Sequence, residues 1–364
     1  MILNDNSIIF HIDVNSAYLS WSALRELQNG SKLDLRTIPS IVGGDQETRH
    51  GIVVAKSIPA KAFGIQTAET VASAFQKCPT LVMVPPDHTY YREMSQKLMH
   101  HLRSICDEIE QVSIDECYMS FEPIRSQFPN PKAAAAYIKD SVYDTFGFTV
   151  NVGVSDRKVL AKMASDFKKP NLVHTLYVSE IQKKLWPLPI SSLHMCGKSS
   201  AKLLQKMGIR TIGDLARTDK AVVESWLKSH GGMLWNYANG IDEGQVVKEK
   251  PKAKGVGNST TLANNAEEEA YAVLKELATS VSVRLKKHHF LAAQISTEIK
   301  YASFRSVSHQ TTILTPTAEV SEIYQCACQL FDELWEGEPI RLLGIRTTKL
   351  QDEEEPTQIS LFDM

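Results

Sequence analysis

Two adjacent carboxylates, Asp115 and Glu116, stand inside apolar, strand-like sequence in the run Gln111-Val-Ser-Ile-Asp-Glu-Cys-Tyr-Met-Ser120. Ionised carboxylates are seldom buried alone, because desolvating each costs several kcal/mol unless a counter-charge compensates. A divalent metal is the usual compensation. A second acidic strand lies upstream, where Ile8-Ile-Phe-His-Ile-Asp13 is an apolar run that ends on a carboxylate. Three acids on neighbouring strands are what two-metal phosphoryl or nucleotidyl transfer needs, with ions roughly 3.5–4 Å apart clamping the attacking and leaving oxygens. Taken singly, Asp13 reads as a strand-end charge, and alternation along a strand would expose one of Asp115 and Glu116. The metal reading rests on the three together.

The order of apolar patterns around these acids predicts an α+β, multidomain chain. Residues 8–13 read as a buried strand, followed by a helix to about Leu27. Val53-Val-Ala55 and Leu81-Val-Met-Val84 are short strands around a helical region near 59–75. Tyr91, Met94, Leu98, Leu102 and Ile105 recur at helical spacing. Strands at 111–114 and 117–121, a helix at 131–145, a strand at 149–154 and a helix at 157–167 complete the set. With 17–82 as an insertion, the order is β-α-β-β-α-β, a ferredoxin-like arrangement that sets the first strand beside the acidic hairpin. A helical stretch, 189–243, contains Leu193-His-Met-Cys-Gly197-Lys198 and Met207-Gly208-Ile209, the pattern of a helix-hairpin-helix in which Gly197 permits close approach and helix N-terminal amides can hold phosphate. After a Lys-rich linker, 244–254, a second β-α-β-β-α-β unit spans 255–350. Its first helix starts at Glu267-Glu-Glu269 and ends at Arg284-Leu-Lys-Lys287, a charge order that suits the helix dipole. Residues 351–364 read as an acidic, flexible tail.

A net charge of −2 does not announce a nucleic-acid binder, but the basic residues cluster at Arg157, Lys158, Lys162, Lys168 and Lys169 and again between Lys248 and Lys254. The six cysteines are scattered, and Cys326-Ala-Cys328 lacks a metal-binding spacing, so reduced core thiols and a cytoplasmic location are expected. No apolar span is long enough to predict a membrane segment. Gly43-Gly-Asp-Gln-Glu47 looks like a diguanylate cyclase signature, but it falls in the insertion rather than on a hairpin between palm strands. His11 reads as a satisfied strand histidine.

The segments His11-Ile-Asp13-Val-Asn15, Gly51-Ile-Val-Val54, Pro59-Ala-Lys-Ala-Phe-Gly64, Ser113-Ile-Asp-Glu116, Val152-Gly-Val-Ser155, Leu160-Ala-Lys-Met-Ala-Ser-Asp166 and Lys169-Pro-Asn171, in this order, resemble the Y-family translesion DNA polymerases, the bacterial polymerase IV branch in particular, over essentially the whole chain. The resemblance implies a palm (1–16 and 83–172), fingers (17–82), a thumb with the helix-hairpin-helix (173–243), the linker, a little finger (255–350) and a tail. It implies that Asp13, Asp115 and Glu116, with the Val14 carbonyl, ligate two Mg²⁺ ions. Tyr18 matches a steric gate against ribose, Ala17, Lys61 and Lys169 match positions around the incoming dNTP, and Gly197, Lys198 and Gly208 match thumb contacts to primer–template DNA. The tail Gln358-Ile-Ser-Leu361-Phe362 resembles the bacterial sliding-clamp binding motif, in which two apolar side chains enter a pocket and the glutamine sets register. The implied enzyme is a monomeric, low-fidelity DNA-directed DNA polymerase without proofreading. Departures are Asn15 for a second Asp, Ile58 and Lys61 for a Tyr and an Arg over the triphosphate, and Met195-Cys-Gly197 for Gly-Ile-Gly. The first two are closer to the polymerase V catalytic subunit, which leaves two alternatives: a subunit dependent on an accessory protein, or a non-catalytic DNA- and clamp-binding module.

Overall fold

The computed structural model describes residues 7–44, 51–249, 252–262 and 269–353. The chain divides into two compact units, Met1–Lys250 and Pro251–Met364.

In the first unit, β1 (Ile9–Val14) alternates its side chains between two environments. Phe10, Ile12 and Val14 enter the main core, while Ile9, His11 and Asp13 point to the opposite face. Helix α1 (Ala17–Gln28) follows, then β2 (Ser40–Gly43), β3 (Val53–Lys56), α2 (Ile58–Ala62), α3 (Val71–Lys77) and β4 (Val82–Val84). The three strands form a small sheet in the order β3-β2-β4. The central strand β2 escapes the sequence reading because Ser40-Ile-Val-Gly43 is only four residues long. The helical region expected near 59–75 consists of two helices, because Gly64, at φ 74, turns the chain after α2. Helix α4 (His88–Ile105) then lays Tyr91, Met94, Leu98 and Leu102 into the main core, as their spacing predicts.

The acidic hairpin differs from expectation. Strand β5 is Ile109–Gln111 and β6 is Glu116–Ser120, so Ser113 and Ile114, expected in the first strand, form the turn with Asp115, and Glu116, expected between the strands, opens β6. The Ser113 hydroxyl supplies the reason, since it donates to Asp115 Oδ1 at 2.7 Å and competes with ladder pairing. Helix α5 (Pro131–Phe146), capped by Asn130 and closed by Gly147 at φ 74, leads into β7 (Val150–Ser155) and α6 (Lys158–Ser165). A short strand, β8 (Val173–Thr175), runs parallel to β7. The five-stranded order β5-β6-β1-β7-β8 is the ferredoxin-like arrangement with one added edge strand.

The remaining helices of this unit are α7 (Ile181–Lys184), α8 (Lys198–Lys206), α9 (Ile212–Arg217) and α10 (Lys220–Ala238). The hairpin turn depends on Gly208 at φ 89, and α9 opens with a Thr211–Asp214 capping box.

The second unit carries β9 (Gly255–Thr261), α11 (Ala270–Lys287), β10 (Phe290–Tyr301), β11 (Ser306–Thr317), α12 (Val320–Leu334) and β12 (Ile340–Asp352). The element order is the predicted one. The sheet order, β11-β10-β12-β9, puts the last strand beside the first. Strand β12 pairs with β10 as far as Asp352, so the first two residues assigned to the tail belong to the sheet. Gln358, Leu361 and Phe362 lie outside the described residues, as do Asp45, Gln46 and Glu47. Among the described residues, no helix is long and apolar enough to cross a membrane. All six cysteines are free, and Cys78, Cys106, Cys117 and Cys196 are buried.

Candidate active site

Strand register assembles the acidic site. Asp13 lies opposite Glu116 on β6 and opposite Asn151 on β7. The three residues share the face that looks toward α6. That helix lies unusually close because the residue paired with His11 on β7 is Gly153. A Cβ at Gly153 would stand 2.0 Å from the Ala161 carbonyl oxygen and 2.5 Å from the Ser165 nitrogen. Asp242 caps the start of α6, accepting the Val159 N–H at 2.7 Å.

The approach of α6 places Lys162 over the acids. Its Nζ is 2.6 Å from Glu116 Oε2 and 3.2 Å from Asp13 Oδ2. From the following loop, Lys169 reaches Asp13 Oδ1 at 3.0 Å and Asp166 Oδ1 at 3.0 Å. Burial works against both ammonium charges, but Asp13 and the neighbouring carboxylates outweigh it and raise both pKa values. Glu116 is held down to about 2, by the His11 imidazole first and by Lys162 with it, against the cost of burial.

His11 is fully buried, and burial lowers its pKa, which keeps it neutral at physiological pH. The Ser165 hydroxyl lies 2.8 Å from His11 Nδ1 and 2.8 Å from the Lys162 carbonyl oxygen. The other nitrogen, Nε2, has no hydrogen-bond partner and faces Glu116 Oε2 at 3.4 Å. The expected strand histidine is therefore satisfied on one side only.

Asp115 behaves differently. Burial raises its pKa, Ser113 opposes that rise, and the charges of Asp13 and Glu116 add to it. Its carboxylate is not part of the group His11, Asp13 and Glu116, whose potential ligand atoms lie within 4.8 Å of one another. Asp115 instead lines a cleft of about 730 Å³ together with Asp13, Val14, Ala17, Tyr18, Lys61 and Lys169. The nucleotide residues expected from sequence are thus neighbours. Glu116 stands behind them, against α6. Lys56 and Arg36 also line the cleft and were not singled out from sequence. Arg36 is tied to Asp34 and donates to the Gly147 carbonyl at 2.7 Å. Tyr18 stacks on Tyr91 with ring centroids 4.4 Å apart, which fixes the plane of its ring.

In the helix-hairpin-helix, Gly197 is the N-cap of α8 and has no side-chain cap; a Cβ there would meet nothing within 4 Å. The fold itself does not require glycine at that position, whereas Gly208 is explained by its backbone conformation.

The impB/mucB/samB family profile matches residues 12–166, and the profile of that family's C-terminal domain matches residues 253–361. The chain belongs to the impB/mucB/samB family, the Y-family DNA polymerases. DNA polymerase IV of Clostridium acetobutylicum is 40% identical over 362 residues, covering 98% of this chain and 90% of that protein. DNA polymerase IV 1 of Bacillus subtilis is 37% identical over 361 residues, covering 98% and 85%. A solved Y-family DNA polymerase chimera shares the fold with a TM-score of 0.81 at 22% identity, covering 95% of this chain and 99% of that one. For this Y-family chain the first profile begins at Ile12 and ends at Asp166, so it spans both β1 and α6, whose juxtaposition builds the acidic site.

The Glu116 pairing has a measurable consequence. A carboxyl held near 2 in the folded chain, against an ordinary 4.5, stabilises the fold above pH 4.5, and that stability is lost as pH falls toward 2. Its size is on the order of 2 kcal/mol. Urea midpoints recorded on metal-free protein between about pH 6 and 2.5 should fall less steeply for Glu116→Gln than for the wild type. Parallel curves would show that Lys162 does not stabilise this carboxylate.

Proposed function

We propose that the chain is a template-directed, low-fidelity DNA polymerase that adds dNTPs to a primer 3′-OH and copies past template lesions. The observation that carries the reading is the cleft in which Asp13 and Asp115 sit beside Lys169, Lys61 and the stacked ring of Tyr18. Asp13, Asp115, Glu116 and the Val14 carbonyl would hold two Mg²⁺ ions. The donor set fits, because it is all hard oxygen and because the chain already draws two ammonium groups onto Asp13. Bound there, the ions would acidify the 3′-OH and neutralise the departing pyrophosphate.

The chain's own side chains do the rest. Lys61 and Lys169 meet the triphosphate as point charges without the bidentate fork of arginine. Tyr18, backed by Tyr91, excludes a ribose 2′-OH. The first amides of α8, from Lys198 onward, and the Gly208 turn hold DNA phosphate, with Gly197 as the cap residue beside them, so binding is nearly sequence-independent and weakens with salt. Gln358, Leu361 and Phe362 bind a bacterial sliding clamp.

The test is primer extension by the purified chain with Mg²⁺ and dNTPs, on an intact template and on one with an abasic site. Short, distributive products that pass the lesion are expected. DNA binding without extension on either template would overturn the reading in favour of a subunit needing a partner. In the same assay Tyr18→Ala should admit rNTPs, and loss of 358–364 should abolish clamp capture while leaving clamp-free extension intact. Unchanged rNTP exclusion, or retained clamp capture, would remove the respective assignment.

A further inference from the structure

We infer that a buried amide pair, Asn15 and Asn151, is a positioning device that holds Lys169 on the incoming triphosphate. The inference rests on the proposed role of Lys169.

Lys169 has a long, flexible side chain on a connection with no regular structure, between α6 and β8. A lysine on an unrestrained loop would lose much of its binding energy to ordering. Here the loop is pinned on both sides of Lys169 by two side chains that belong to adjacent strands. Asn151, fully buried on β7, donates through Nδ2 to the carbonyls of Ser165 at 3.1 Å and Lys168 at 3.0 Å. Its Oδ1 accepts the Leu172 N–H at 3.2 Å. Asn15, only 7% exposed, accepts the Asn171 N–H at 2.9 Å and the Thr149 hydroxyl at 2.9 Å through Oδ1. Its Nδ2 donates to Asn151 Oδ1 at 3.2 Å, which joins the two halves.

The result is a clasp. The Ser165 carbonyl at the end of α6 and three backbone groups of the loop (the Lys168 carbonyl and the Asn171 and Leu172 amides) end on two side chains, and both amide side chains use both their oxygen and their nitrogen. Asn151 also lies directly opposite Asp13 in register, so the clasp and the acid are set on neighbouring strands of one sheet. A carboxylate at 15 could accept the same two donors but could not donate to Asn151 Oδ1, so in this chain the amide adds the bond that joins the two halves. Asn15 also lines the cleft, while Asn151 lies behind it, and neither side chain carries charge. Its role is to decide where the Lys169 ammonium stands.

The test is a kinetic cycle on the full chain. Asn15→Leu, close in shape and without hydrogen bonds, should raise KM for dNTP about tenfold, with primer–template affinity unchanged. Inhibition by inorganic tripolyphosphate, competitive with dNTP, should weaken by the same factor. Lys169→Ala should produce a similar rise, and the double variant should be no worse than Lys169→Ala alone. Thr149→Val, which removes one contact, provides a milder second variant and should raise KM about threefold. Equal losses in the presence and absence of Lys169, or an unchanged KM in both variants, would overturn the proposal. A wild-type chain that does not extend primers at all would instead overturn the polymerase reading. Wild-type extension with additive variants would overturn only the clasp.

Discussion

Asp115→Asn should abolish primer extension while raising the melting temperature of the metal-free protein. The two effects share one cause. Burial and the neighbouring charges of Asp13 and Glu116 raise the Asp115 pKa, so its ionised form is disfavoured in the folded chain. A raised carboxyl pKa means that ionisation costs folding stability as pH climbs past it. Asparagine keeps an oxygen to accept the Ser113 hydroxyl, now found at 2.7 Å, but carries no charge. Relief of that repulsion is worth about 1 kcal/mol, or a rise of roughly 2–4 °C in a unit of this size. The same change removes the negative charge with which Asp115 is proposed to hold metal in the cleft, with an expected loss of at least about a thousandfold in rate. Calorimetry in a chelating buffer and single-turnover extension read the two effects independently. Extension at a comparable rate would remove Asp115 from the metal set. A lowered melting temperature with extension lost would show that its charge is compensated by something other than metal.

The second large effect lies away from the chemistry. Gly153→Ala puts a methyl carbon where the Ala161 carbonyl oxygen and the Ser165 amide nitrogen already stand, at 2.0 and 2.5 Å. Both are backbone atoms, so no rotamer can yield, and α6 has to move off the sheet. Overpacking of this kind costs about 3 kcal/mol. Because α6 carries Lys162 and Ser165, the displacement also withdraws the ammonium from Glu116 and the hydroxyl from His11. A melting temperature lowered by roughly 6–12 °C is expected, together with loss of extension. Gly197→Ala, where an added methyl meets only open space, should leave the melting temperature unchanged. A Gly153→Ala protein as stable as the wild type would mean that α6 can retreat without strain, and the close packing would then not be what positions Lys162.

Much of this arrangement could be read from residue order. The alternation of Phe10, Ile12 and Val14 with His11 and Asp13 defines a two-faced strand, and the helical repeat from Tyr91 to Ile105 predicts the long helix α4. The acidic turn was misjudged because Val112 and Ile114 look like strand residues, while the Ser113–Asp115 hydrogen bond that ends the ladder is invisible to periodicity. In sequence Lys162 is one of five clustered basic residues and part of a segment that resembles the family, without a role of its own. Nothing in its neighbours says that it points at carboxylates far away in sequence, on β1 and β6.

Local chemistry, then, settled which residues would be acidic, basic, apolar or aromatic and where the longer helices and strands would lie, because those follow from side-chain type and a period of two or 3.6. It also supplied the family resemblance and hence the candidate ligands. Tertiary structure alone decided which charges meet. Antiparallel register put Asp13 between Glu116 and Asn151, and the absence of a side chain at Gly153 let α6 close over them. Distances between groups more than a hundred residues apart are set by register and packing, to which no local periodicity corresponds.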